Sequence, residues 1–227
     1  MRFPSPGRSR PVQTLAAFLS LAPALGLAAD RAALLNPEAP AMNEAAPAAY
    51  RVKLETTQGD VMLEVRREWS PHGADRFYNL VRAGFYDDMR ITRVVAPKWA
   101  QFGIHGDPQI AKLWRERRIP DDPRVLANER GTVAFAFATP GGRTTQVFVN
   151  LKDNRATHDK EPFVPFARVV AGMDVVDAWY SGYGEDAGSG IRSGRQGPLF
   201  EGGNPWIDAR FPKLDSIRRA VLLPATP

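Results

Sequence analysis

Cysteine is missing from all 227 residues, which excludes disulfide staples, thiol catalysis and thiolate metal sites together. Histidine is nearly as scarce: three occur, at positions 72, 105 and 158. No two have the close spacing of a histidine metal motif, so no metal is expected. Dinucleotide (GxGxxG), phosphate-loop and GxSxG signatures are all lacking, so nucleotide and serine-hydrolase readings have no anchor. There is no internal repeat and no alternation of strands with helices, which argues against parallel α/β folds. The longest apolar run, residues 14–27, is too short for a comfortable membrane span and is broken by Pro23 and Gly26.

The remaining composition, 44% hydrophobic and 24% charged, is that of a soluble globular chain. Its length suits one domain with extensions. The formal net charge of +5 raises the question of nucleic acid. That charge falls to +2 once Arg2, Arg8 and Arg10 are set aside with the segment that carries them. The remaining basic run, Lys112 to Arg118, is short, contains Glu116 and reads as a solvated face, so no nucleic-acid partner is expected.

Residues 1–29 open with arginine and no acid, continue through the apolar run and end in Ala28-Ala29. This is the three-part pattern of a secretory signal peptide. A mitochondrial transit peptide competes, but such peptides are amphipathic rather than continuously apolar. Export implies a periplasmic or secreted protein with no membrane segment after processing. Residues 30–49, with Pro37, Pro40 and Pro47 among alanines, are expected to form a flexible linker.

From Tyr50 the pattern is strand alternation. Val52, Leu54 and Thr56 precede a turn at Gln58-Gly59-Asp60, and Val61, Leu63 and Val65 follow it, the signature of a hairpin. Ser70-Pro71 supplies an N-cap and first-turn proline for a helix that Gly84 can close. Ile91 to Val95 reads as a strand, with Ile91, Arg93 and Val95 on one face and Thr92 and Val94 on the other. Residues 110–130 read as a long connection. Strands are expected over 131–138, 146–151, 163–170 and 214–223, a second helix over 173–180, and a Gly- and Ser-rich loop from there to Gly203. Gln146, Phe148 and Asn150 fall on one strand face. Many short strands with two helices predict a mainly β protein, a closed antiparallel barrel capped by helices.

Arg93 is the residue that needs explaining. A guanidinium keeps its proton and presents its donors in a rigid fork, so within Ile-Thr-Arg-Val-Val it must meet solvent, an acid or a ligand oxygen. Taken alone, it is a solvated residue on an exposed sheet face as readily as a site residue.

Six pieces in order resemble the cyclophilin-type peptidyl-prolyl cis/trans isomerases, from about Tyr50 to Leu223. They are the hairpin from Val52 to Asp60; the helix end Phe77 to Tyr86; Arg93-Val-Val with Gln101 and Gly106-Asp107-Pro108; Gly131 to Ala136; Thr145 to Asn150; and Phe166 to Val176. The resemblance implies an eight-stranded barrel with its substrate groove on the outer face, acting on proline-containing polypeptides as a monomer without cofactor. It carries Arg93 onto the catalytic arginine, Gln101 onto its neighbouring glutamine and Phe148 onto the floor of the proline pocket. Ala136 and Gln146 match positions that line the groove for the residue preceding proline.

Several positions depart from the family pattern. Thr92 replaces a histidine, and Ala-Pro-Lys98-Trp99 replaces Pro-Gly-Phe-Met, so Trp99 is expected to supply the apolar wall that Lys98 does not. His158 lies in Thr-His-Asp where a Trp-Leu or Arg-Leu pair is common, Phe163 stands for a histidine, and Phe137 stands for an asparagine that binds peptide backbone. Taken singly, Phe148 reads as core, Trp99 as core or wall, Gln101 as a loop-end hydrogen bond or a site residue, and His105 and His158 as surface residues. Two functions follow: an exported isomerase assisting folding, or a cyclophilin-like binding module or holdase of low activity.

Overall fold

The computed structural model describes Met1 and residues 30–188 and 190–223. The expected signal peptide, beyond Met1, lies outside them. Nine strands form a single curled antiparallel sheet: β1 (Ala49–Thr56), β2 (Asp60–Arg66), β3 (Met89–Arg90), β4 (Arg93–Val95), β5 (Trp99–Phe102), β6 (Thr132–Phe135), β7 (Val147–Asn150), β8 (Pro165–Ala171) and β9 (Ser216–Leu223). Their order is β3-β9-β1-β2-β8-β6-β7-β5-β4. The fold is thus mainly β and cyclophilin-like, with two differences from expectation. There are nine strands rather than eight, and the sheet is a half-barrel whose outer strands, β3 and β4, are joined only by Ile91 and Thr92, with no ladder between them among the described residues.

Helices α1 (Arg31–Leu34), α2 (Pro71–Arg82), α3 (Pro108–Arg115), α4 (Arg155–His158), α5 (Met173–Asp177) and α6 (Gly197–Arg210) surround the sheet. Only α2 and α5 correspond to the two expected helices. Within α2, Ala74, Phe77, Leu80 and Val81 are buried at helical spacing, and Gly84, at φ 76°, takes the left-handed geometry that ends the helix. The other four lie in stretches read as linker or loop, α1 and α4 as single turns and α3 and α6 as longer helices. Asp107 caps α3 by accepting from the Gln109 N–H, and α3 buries Ile110, Ala111 and Trp114; α6 buries Leu199, Phe200 and Ile207.

The segment expected as a flexible linker is packed. Leu34, Met42 and Ala46 join the main core, the Trp114 indole donates to the Leu34 carbonyl at 2.8 Å, and the Ala46 N–H donates to Asp75. Isolated apolar residues between prolines show no period, yet each fills a gap beside α2 or α3. Ile91 also departs from its expected parity with Arg93, because the chain turns between β3 and β4 and buries it.

Candidate active site

Strand pairing sets the site. Across β4, β5, β7 and β6, Arg93 opposes Gln101, Gln101 opposes Phe148, and Phe148 opposes Ala134. Opposed residues share a sheet face, so these four side chains form one transverse row on the outer face. The neighbouring row, Val94, Ala100, Val149 and Val133, points the other way and belongs to the core. One-residue alternation therefore turns four consecutive strands into a site on one side and packing on the other.

The polar end of the row is a chain of hydrogen bonds. Arg93 Nη1 donates to Gln101 Oε1 at 2.8 Å, Gln101 Nε2 donates to Gln146 Oε1 at 2.8 Å, and Gln146 Nε2 donates to Gln196 Oε1 at 2.9 Å. The other terminal nitrogen, Arg93 Nη2, donates to Glu185 Oε1 at 2.6 Å. This hydrogen bond from Arg93 holds the Glu185 carboxyl below the usual carboxylate range. The Arg93 guanidinium also lies 5.1 Å from the centre of the Trp99 ring, a cation–π distance. Buried Arg93 Nε and Trp99 Nε1 make no hydrogen bond among the described residues.

Beside Arg93 is an apolar slot. Ala134, Ala136 and Phe148 form its buried cluster, with Trp99, Phe163 and Ile191 packed against them. Phe148 meets Phe163 edge-on at 5.3 Å, and Phe163 lies 4.4 Å from Phe137. Arg93, Gln101, Trp99, Ala136, Phe137, Phe148, His158 and Phe163 all line one cavity of about 420 Å³. Gln146 is the exception among the expected site residues. It lines an adjacent cavity of about 280 Å³ that shares Ile191 with the first.

Two single-residue expectations change. His158 is not a free surface residue: its ring sits 5.0 Å from Phe163 and 5.2 Å from Phe148, Nδ1 lies 3.2 Å from Asn150 Oδ1, and burial pushes its pKa down. His105 is likewise half-buried against Phe85, and its Nδ1 accepts from the Asp107 N–H. Lys98 is exposed at the cavity rim, 5.8 Å from the Trp99 ring, and leaves the slot open.

Sequence reasoning missed Glu185, Gly190, Ile191, Arg192 and Gln196, all in the stretch read as a Gly- and Ser-rich loop. Arg192 pairs with Glu161 and lies 5.3 Å from the Phe137 ring. Glu185 and Asp186 are the only acids between Tyr180 and Phe200 and, with Arg192, Arg195 and Gln196, the signal that this stretch carries polar chemistry.

Comparison with known proteins shows the family and the fold. Residues 51–190 match the family described as cyclophilin type peptidyl-prolyl cis-trans isomerase/CLD. The chain is 32% identical over 134 residues to peptidyl-prolyl cis-trans isomerase cyp18 of Streptomyces antibioticus, covering 56% of this chain and 81% of that protein. It is 30% identical over 133 residues to peptidyl-prolyl cis-trans isomerase B of Escherichia coli (strain K12), again covering 56% and 81%. A cyclophilin type peptidyl-prolyl cis-trans isomerase of Cryptosporidium parvum superposes with a TM-score of 0.57 at 16% identity, over 78% of this chain and 99% of that one. The cyclophilin AquaCyp293 from Hirschia baltica gives 0.54 at 16% identity, over 81% and 77%. The two structural likenesses speak for the fold, and the two sequence relatives for the activity. The chain belongs to the cyclophilin-type peptidyl-prolyl cis/trans isomerases, enzymes that need no cofactor.

Proposed function

We propose that this isomerase acts on exported polypeptides and assists their folding, with Arg93 as the catalytic residue and the Phe148 slot as the seat of the proline ring. The observation that carries the site assignment is the single transverse row in which a fixed guanidinium adjoins an open apolar slot.

The chemistry follows from the amide bond. Rotation costs roughly 18–20 kcal/mol because the nitrogen lone pair is delocalised into the carbonyl. The two X-Pro isomers differ by only about 0.5–1 kcal/mol, so the barrier rather than the equilibrium is the obstacle. In the twisted state the prolyl nitrogen is pyramidal and its lone pair is free. A guanidinium beside the ring donates to that lone pair and interacts weakly with the planar ground state, the condition for catalysis by differential binding. Gln101 holds Arg93 by one nitrogen, Phe148 and Phe163 seat the ring, Trp99 and His158 wall the slot, and Ala136, Phe137 and Gln146 run along the groove for the preceding residue. No bond to the protein forms. A dipeptide Ala-Pro was present in the crystal of the Cryptosporidium parvum relative, a ligand of the class this slot would take.

Export rests on residues 1–29, and a monomer acting in the periplasm or outside the cell is the state proposed. The activity assignment is tested by cis-to-trans conversion of a proline tetrapeptide with and without Arg93→Ala. The variant should lose most of the acceleration, whereas equal rates would reject Arg93, and peptide binding without turnover in either protein would favour the holdase. Sequencing the N-terminus of protein recovered from a periplasmic fraction tests export. Recovery only from the cytoplasm, with residues 1–29 intact, would reject it.

A further inference from the structure

The connection between α5 and α6 brings Glu185 and Gly190 onto Arg93, and neither has a part in the chemistry described so far. Arg93 is held on four sides. Gln101 takes Nη1 at 2.8 Å, Glu185 takes Nη2 at 2.6 Å, the Trp99 ring centre lies 5.1 Å from Cζ, and the Gly190 backbone closes the remaining side. A Cβ at position 190 would come within 3.2 Å of Arg93 Cζ and Nη2 and 3.4 Å of Nη1, tight enough that the guanidinium would have to give by a few tenths of an ångström. The Gly190 backbone N–H also helps hold the Glu185 carboxyl low. The same short stretch of backbone thus carries the acid and packs against the guanidinium.

We propose that Glu185 is a positioning residue for the isomerisation, fixing the direction of the Arg93 donors through its hydrogen bond to Nη2, with Gly190 setting the distance. This rests on the assignment of Arg93 as the catalytic residue. The Glu185 side chain is 43% exposed and that of Arg93 14% exposed. A half-exposed ion pair of this kind contributes little to folding, because water screens it. Its consequence falls on geometry instead: arginine is a long side chain whose rotamers must be restricted before its donors can meet a developing lone pair. A carboxylate this close also weakens the field of the guanidinium, so the sign of the effect separates aim from charge. Aim predicts a loss of turnover when Glu185 is removed, and charge attenuation predicts a gain.

The experiment measures kcat, KM and melting temperature for wild type, Glu185→Ala, Glu185→Gln, Gly190→Ala and Arg93→Ala on one proline tetrapeptide. Glu185→Ala should lower kcat about tenfold, by analogy with other misplaced catalytic groups. KM and melting temperature should stay near wild type. Glu185→Gln keeps an oxygen acceptor for Nη2 and should recover kcat to within about twofold. Gly190→Ala, whose methyl crowds the guanidinium, should lower kcat in the same direction but by less than Glu185→Ala. Unchanged or raised kcat in Glu185→Ala overturns the proposal, as does Glu185→Gln no better than alanine, or a kcat loss matched by losses in KM and melting temperature. Wild-type turnover in Arg93→Ala would instead overturn the assignment of the arginine itself, which keeps the two failures apart.

Discussion

Arg93 and Gln101 are direct cross-strand partners on β4 and β5, and their side chains are hydrogen-bonded at 2.8 Å on the outer sheet face. Backbone register and side-chain contact thus select the same pair. Gln101 is 3% exposed and bridges Arg93 to Gln146, so an apolar substitute takes the acceptor from Arg93 Nη1, while Gln146 Oε1 keeps the Gln196 amide. Gln101→Leu is expected to lower stability by about 1–3 kcal/mol, the cost of a buried polar group left unpaired. Turnover should fall as well, and chemical denaturation beside a tetrapeptide assay checks both.

Arg93→Lys keeps the charge and loses the fork. A lysine ammonium cannot present two parallel planar donors to Gln101 and Glu185 while stacking on Trp99. If directed donation is what the twisted amide requires, kcat should drop on the order of 10²-fold, the scale of losing one preorganised donor. Near-wild-type turnover in this variant would mean that charge alone suffices.

Phe148→Ala removes the floor of the slot. The ring lines the cavity together with Phe163 and His158, both of which it touches. Losing its apolar surface should weaken peptide binding by about 1.5–3 kcal/mol, seen by titration calorimetry with a proline peptide. The stability cost should be smaller than the roughly 3–5 kcal/mol of a fully enclosed Phe→Ala change, since the site already opens to solvent.

His158 makes the fold pH-sensitive in a defined direction. Burial lowers its pKa in the folded protein below the ordinary histidine value of about 6.5, so on acidification the unfolded chain takes up this proton first. Its effect is nil at neutral pH, and stability is lost as pH falls through 6.5 toward the lower folded value. Melting temperature should therefore fall more steeply from pH 7 to 5 for wild type than for His158→Gln. Parallel profiles would remove His158 from the account, because His105 and the carboxylates are common to both proteins.

Asp122 carries a structural load from outside the helix it serves. Its carboxylate accepts from Ser70 Oγ at 2.5 Å and from the Gly73 and His72 N–H groups at the start of α2, and it pairs with Arg143, whose side chain is wholly buried. Burial alone would raise its pKa, but these donors outweigh that and hold it low. Asp122→Ala should destabilise the protein by about 3–5 kcal/mol, the range for removing one partner of a buried ion pair. Urea denaturation is the measurement.

Local pattern was enough for the hairpin of β1 and β2, the helix α2 with its glycine stop, the parity that puts Gln146 and Phe148 on one face, and Arg93 as the residue to explain. All of these depend on local periodicity, turn chemistry or a charge in a β-branched run, which need no knowledge of distant chain. Even there the reading stopped at positions. Ser70 occupies the cap of α2, yet its side chain accepts no backbone N–H and donates instead to Asp122, 52 residues away.

What lay beyond local pattern was decided by packing. Residues 30–49 carry too few apolar groups to show a period, and Leu34 and Met42 become core only because α2 and α3 leave room for them. Helices α3 and α6 hide in stretches rich in charge or glycine, and one face of each is buried against the rest of the protein. Glu185 meets Arg93 across 92 residues of sequence. Nothing in a glycine-rich run says which strand it will cross, because glycine restricts the backbone so little that the tertiary fold alone chooses its path.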